Sequence, residues 1–250
     1  MEQVAGESLR LGWQAVAKGF RGMYDHLGTT MVLSSAWFLL GFFPAGLTFL
    51  VLLQAPALNS LLIFGVVWAA LFGPMTAAVY SAAMDLLEGG FFRLRDTFGH
   101  FRKHYKRAAG LSAVMGAILA VLVVDVLFFA RVTAGWTQLI VIGIWGYFIL
   151  MWAMTAIYVF PFAVRRDVSI WRILKMSVLM ALDNAVATFV VGFFTLASLA
   201  VCVFLRAPVM LFMIGIFAFL HCAAFSELIK KYRRSAEGAE EQEKESVSND

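Results

Sequence analysis

The chain has 250 residues, of which 62% are hydrophobic and 14% charged, with a formal net charge of +4 at pH 7. A water-soluble domain of this size is about half apolar and roughly a quarter charged. The composition therefore excludes an ordinary soluble domain, whose core could not absorb the excess, and points to a chain solvated by lipid.

Residues 1–28 read as an N-terminal amphipathic cytoplasmic segment. Leu9, Trp13, Val16, Phe20, Tyr24 and Leu27 recur at spacings of four and three and draw one apolar stripe, with Arg10, Lys18 and Arg21 mostly off it. No cleavable signal peptide is expected, because the first long apolar block begins only near Thr29 and the short charged start of a signal sequence is missing.

Residues 29–226 read as a transmembrane domain with six spans, at 29–53, 57–84, 108–130, 136–163, 185–205 and 207–226. Each is long enough to cross about 30 Å of hydrocarbon. The last two are parted only by Arg206, and Arg206-Ala207-Pro208 reads as a tight turn, with Pro208 in the first turn of the next helix where its missing N–H costs nothing. Pro44, Pro74 and Pro161 fall inside or near the ends of spans, where proline removes a backbone hydrogen bond. They are expected to shape the bundle, with a cavity-lining break as the alternative. Residues 227–250 form a basic, then acidic tail, read as disordered from Ser235 onward.

With the N-terminus in the cytoplasm, all of the 20 lysines and arginines except Arg131 and Arg206 fall on the cytoplasmic side of the six spans. That asymmetry follows the positive-inside rule and places both termini inside. Two further amphipathic stretches lie between spans on this side. One carries Phe91, Leu94, Phe98, Phe101 and Tyr105 among the basic residues Arg93, Arg95, Arg102, Lys103, Lys106 and Arg107. The other carries Trp171, Leu174, Val178 and Leu182, with Arg172 and Lys175 turned away. Apolar-aromatic on one face and basic on the other is the pattern of a helix lying in the membrane interface; a helix packed on the bundle is the alternative. The expected fold is all-α: a polytopic transmembrane bundle of six spans with amphipathic interfacial helices on its cytoplasmic side.

Few residues offer chemistry. Asp125 lies in the outer half of the third span, and an ionisable group there costs about 2.5–3.5 kcal/mol, so it should face a partner. Arg131 and Arg206 belong to the same outer level, and an ion pair or hydrogen bond between helices is expected, with proton or substrate binding as the alternative. Asp183-Asn184 reads as a cap or bend where the third amphipathic stretch enters the fifth span, with a cytoplasmic binding role as the alternative. His100 and His104 share a helix face, but no third ligand stands at a matching offset, so a plain basic surface is expected rather than a metal site. His221 and Cys222 read as packing, and Cys202 and Cys222 as free thiols too far apart to bridge. Ala109, Ala113 and Ala117 recur every four residues and permit close packing within the chain or between copies. No phosphate-binding GxxxxGK[ST] loop, HExxH or paired intramembrane carboxylate is present, so neither ATP hydrolysis nor other catalysis is expected, and no cofactor or metal. The basic loops flank spans, which makes anionic lipid headgroups the expected partner and not nucleic acid.

Two stretches resemble the YesL family of bacterial integral membrane proteins. One is Gly73-Pro74-Met75-Thr76-Ala77-Ala78, running through Gly89-Gly90 into Phe98, Phe101 and Lys106-Arg107. The other is Tyr158-Val159-Phe160-Pro161 followed by Arg165-Arg166-Asp167 and the run to Asp183-Asn184, while Trp37 and Pro44 fit more loosely. The resemblance implies a bacterial plasma-membrane protein connected with carbohydrate uptake, and it brings no site residues with it. Two functions are expected to compete: an accessory or permease-like component of solute uptake, working with a transport partner or as a homo-oligomer, and a lipid-interacting organiser of the membrane without transport activity.

Overall fold

Apolar blocks of this length become helices, because in hydrocarbon a backbone must satisfy its own hydrogen bonds. The computed structural model describes residues 2–55, 57–90, 94–205 and 212–248, and the elements among them are all helical. In chain order they are α1 (Glu2–Asp25), α2 (Leu27–Trp37), α3 (Phe43–Gln54), α4 (Leu58–Val67), α5 (Gly73–Leu87), α6 (Leu94–Val132), α7 (Gly135–Arg165), α8 (Ile170–Asp183), α9 (Ala185–Leu205) and α10 (Met213–Ser248). Six helices are long and apolar enough to cross a membrane: Leu27–Gln54, Asn59–Leu87, Phe101–Val132, Gly135–Arg165, Ala185–Leu205 and Met213–Gly238. The protein is a polytopic all-α bundle, as its composition requires.

The first two spans are each interrupted by one π-helical turn, Phe38–Phe42 between α2 and α3 and Trp68–Phe72 between α4 and α5. Pro44 and Pro74 explain both. Each ring lacks an N–H and would clash with the carbonyl four residues back, so the preceding backbone widens. Accordingly the Phe43 N–H reaches back five residues to the Phe38 carbonyl, and the Gly73 N–H does the same to Trp68. Pro161, by contrast, is accommodated inside an uninterrupted α7.

The sixth span is the axis of the bundle. Two thirds of its most apolar stretch, 67%, is buried within the protein, against 6% for the third span. α10 packs on α1, α2, α5, α7 and α9. Its first turn is capped by another span, the Ser34 hydroxyl accepting the Gly215 N–H at 3.1 Å.

Three expectations about the amphipathic stretches change. α1 does carry its large apolar residues on one side, but it docks through a stripe of small ones. Ser8, Gly12, Ala15, Val16 and Gly19 are buried against α9 and α10, whereas Leu9, Trp13 and Tyr24 remain exposed. A Cβ on Gly19 would lie 2.9 Å from the Leu220 Cα, so the close approach of α1 to α10 depends on its absence. The second stretch is no separate helix: residues from Leu94 onward belong to the same 39-residue helix as the third span, which carries no proline and continues through Gly110 without a break. α8 is separate, but it buries Ile173, Leu174, Ser177, Met180 and Ala181 and leaves Trp171, Val178 and Leu182 outside, which splits the predicted stripe. The tail differs as well. Helical backbone continues through the acidic segment to Ser248, whose Ala, Glu, Gln and Lys residues favour helix.

Candidate functional site

The end of the bundle that gathers α1, α8, the start of α6 and the exit of α10 is the basic end, and its polar side chains form several hydrogen-bonded groups. Lys18 of α1 donates to the Glu227 carboxylate at 2.8 Å and to the Ser226 hydroxyl at 3.0 Å, and Lys230 reaches the same carboxylate at 3.1 Å. One acid on the axial helix thus holds two cations and fixes α1 in register. Next to it, α8 ends at Asp183, Asn184 is its C-cap and α9 begins at Ala185, the bend expected from the sequence. Asn184 is 1% exposed. Its amide donates to the Tyr232 hydroxyl at 2.6 Å and its carbonyl oxygen accepts from Lys231 at 3.0 Å, while Tyr232 in turn donates to Asp183. The junction of two helices is therefore locked to the axial helix by side chains 47 and 48 residues away.

Two clefts open between these contacts. One of about 450 Å³ lies between α1 and α10, with Glu7, Leu11 and Gln14 on one wall and Lys230, Lys231 and Arg234 on the other. A smaller one of about 150 Å³ lies beside the Arg165–Glu88 ion pair, lined also by Met84, Phe225, Lys230 and Arg233.

The predicted lipid-contacting cations divide. Arg102, Lys103 and Lys106 are exposed and make no hydrogen bond or ion pair among the described residues. Arg107 is different. Its guanidinium donates to the Ala163 carbonyl at 3.2 Å and the Arg166 carbonyl at 2.8 Å and pairs with Asp167. It satisfies carbonyls that the end of α7 leaves open, so its role is structural. Arg93 and Arg206 lie outside the described residues, as does the side chain of Arg95.

Asp125 is half-buried on α6, and Arg131 is exposed. No ion pair joins them; six residues apart on one helix, they point to different sides. Nor is a group of three His, Cys, Asp or Glu residues placed to hold a metal ion found among the described residues. Ala113 and Ala117 face outward, and α6 packs instead through Ala108, Leu111, Ser112 and Met115.

His221 does more than pack. The residue is 6% exposed in the third turn of the axial helix, with Nδ1 2.7 Å from the Tyr80 hydroxyl and Nε2 3.1 Å from the Thr195 hydroxyl. Thr195 donates its own proton to the Val191 carbonyl at 2.9 Å. A neutral imidazole with its proton on Nε2 satisfies every partner at once, receiving from Tyr80 and giving to Thr195. Three spans are tied together by this one ring. Tyr158 and Thr188 form a second inter-span link at 2.9 Å, and Trp37 donates to Thr76 at 2.8 Å between the first two spans. The sequence signal for these contacts was limited to isolated polar residues within apolar blocks, which does not name their partners. Both Cys202 and Cys222 are buried free thiols, as expected.

The arrangement offers a positively charged end with clefts, and beyond it buried polar contacts between spans. No family model, curated protein or solved structure matches the chain.

Proposed function

We propose that the protein is a non-enzymatic, multi-pass component of the bacterial plasma membrane that gathers anionic lipid headgroups at its basic end, with both termini in the cytoplasm, and thereby organises the membrane around it. One observation carries this reading: the helices at that end turn unpaired cations and aromatic rings outward together. Arg102, Lys103 and Lys106 on α6 are exposed, as are Arg172 and Lys175 beside Trp171, which is 77% exposed, and α1 adds Trp13 and Tyr24. Aromatic rings favour the headgroup level, and each cation near anionic lipid adds about 1 kcal/mol of attraction. The test is the preference for spin-labelled phosphatidylglycerol over phosphatidylcholine at the protein boundary in reconstituted vesicles. Replacing Arg102, Lys103 and Lys106 by glutamine should lower that preference, with Arg107 left in place because it caps α7. An unchanged preference would overturn the proposal. The topology has its own check, since cysteines at positions 103 and 172 should resist impermeant reagents applied outside intact cells.

A second reading, an accessory or permease-like part of carbohydrate uptake, is favoured by the paired π turns and by the resemblance to the YesL family. Broken helices at membrane depth line cavities in transporters, and here the two breaks pack on each other where the first two spans leave the bundle. Co-purification with an ATP-driven permease would support it, and unaltered sugar uptake in a clean deletion strain would remove it.

A further inference from the structure

The cleft between α1 and α10 has an unbalanced set of charges. Glu227 on its wall is already shared by Lys18 and Lys230. Lys231 donates to the neutral Asn184 amide and makes no direct ion pair among the described residues. Arg234 makes no hydrogen bond or ion pair among the described residues, although its side chain lines the cleft. Among the lining residues three cations, Lys230, Lys231 and Arg234, thus stand against two carboxylates, Glu7 and Glu227, one of which Lys18 also shares, so positive charge is in excess. Lys230 and Arg234 lie one helical turn apart, a like-charge pair that destabilises a helix unless an anion sits between them. The Gln14 amide on the facing wall adds a neutral donor. The volume, about 450 Å³, lies in the range of small-ligand sites.

We propose that this cleft is a binding site for a phosphate group, held by Arg234 and Lys231 from α10 and met by Gln14 from α1. A phosphate group is an anion, the sign that this excess calls for, and its tetrahedral oxygens take donors from two helices at once, with arginine supplying paired N–H groups. The group comes either from a lipid headgroup or from a soluble phosphate ester. The site rests on the anion-gathering role given to the basic end, and it narrows that role from a diffuse surface to one defined position. Because the phosphate bridges α1 and α10, binding also tightens the seating of the N-terminal helix.

The experiment uses the full chain purified in a non-ionic detergent. Glycerol 3-phosphate is titrated by calorimetry, and retained phosphatidylglycerol is counted by native mass spectrometry, for the wild type and for Arg234→Gln and Arg234→Lys. Saturable binding of glycerol 3-phosphate identifies a soluble ester as the source, whereas one retained phosphatidylglycerol without it identifies a headgroup. In either case Arg234→Gln should weaken binding by roughly tenfold, the worth of one charge-assisted contact, and Arg234→Lys should restore part of it. Arg234 has no hydrogen-bond or ion-pair partner among the described residues, so the variant is expected to fold. The variant lacking Arg102, Lys103 and Lys106 should bind both probes as the wild type does, which separates the cleft from the surrounding surface. Binding of neither probe, or equal binding by Arg234→Gln, overturns the cleft site while leaving the boundary-lipid measurement to stand or fall alone.

Discussion

Within the second span, residues 73–84 of α5 are all buried, while no residue from 59 to 67 in α4 is. The two segments belong to one apolar block and are separated by a single π turn. The same contrast runs through the molecule. Toward the basic end α5 touches α2, α6, α7 and α10; away from it, α3 and α4 pack chiefly on each other and on the π turns, leaving Leu53, Leu62 and Val66 between 58% and 66% exposed. In water such a surface would collapse. In hydrocarbon it costs nothing, because lipid tails solvate leucine as well as another helix does. Tight packing in a bilayer therefore needs a specific reason, and the basic-end half supplies several: close approach at small residues, hydroxyl and imidazole links between spans, and arginine at a helix end.

The sharpest way to break the comparison is to add one side chain to each half. A Cβ on Gly73 would sit 2.4 Å from the Ser112 Cβ and 2.7 Å from the Ala108 carbonyl, whereas one on Gly65 meets nothing within 4 Å. Gly73→Val should lower stability by about 3 kcal/mol or fail to fold, and Gly65→Ala should leave the thermal midpoint in detergent unchanged; equal effects would show that the two halves are packed alike.

A smaller effect is expected from the buried ring. His221→Ala strands the buried hydroxyl of Tyr80, while Thr195 keeps its bond to Val191, and should cost about 1–3 kcal/mol. Asp125→Asn, on a carboxylate with no ion pair among the described residues, should stay within about 0.5 kcal/mol. Chemical unfolding of both variants measures the difference, and a larger loss at Asp125 would point to a partner supplied by another molecule.

Smaller still is the contribution of Arg107. Its side chain is 23% exposed, so solvent screens part of the interaction, and Arg107→Gln should cost about 1 kcal/mol or less. The change should be local, read as faster hydrogen exchange where α7 ends near Arg166. Lys103→Gln should alter neither exchange nor stability.

The least change is expected from spectroscopy without any loss of stability. Spin labels at Leu62 and Leu139, both exposed on the loosely packed side, should give a broader distance distribution than labels at Lys103 and Arg172. Equal widths would mean that the loosely packed side is as rigid as the packed end.

Much of the fold was legible without tertiary structure. Hydropathy placed the fifth span at 185–205, the bounds that α9 has, and the first at 29–53 against Leu27–Gln54. Of the three prolines noted within spans, Pro44 and Pro74 stand beside π turns and Pro161 does not, and the bend at Asp183-Asn184 was expected where it stands. These are properties of a chain segment against its solvent and need no neighbour. The candidate site was far less legible. Arg107 and Lys106 are adjacent and look alike in sequence, yet one caps α7 and the other is exposed. The docking face of α1 was hidden for a related reason: a stripe of large apolar residues is visible as hydrophobic, whereas Gly12, Ala15 and Gly19 announce a contact only once a second helix lies against them.

Sequence alone determined that this chain is a helical bundle suited to a bilayer, because the number, length and greasiness of its spans follow from transfer energies that act residue by residue. Only the tertiary structure decided that the last span is the axis, that His221 ties three spans, and that Arg234 opens into a cleft while Arg107 does not. Those outcomes depend on which side chains from distant parts of the chain come within hydrogen-bonding range, and hydropathy carries no information about partners.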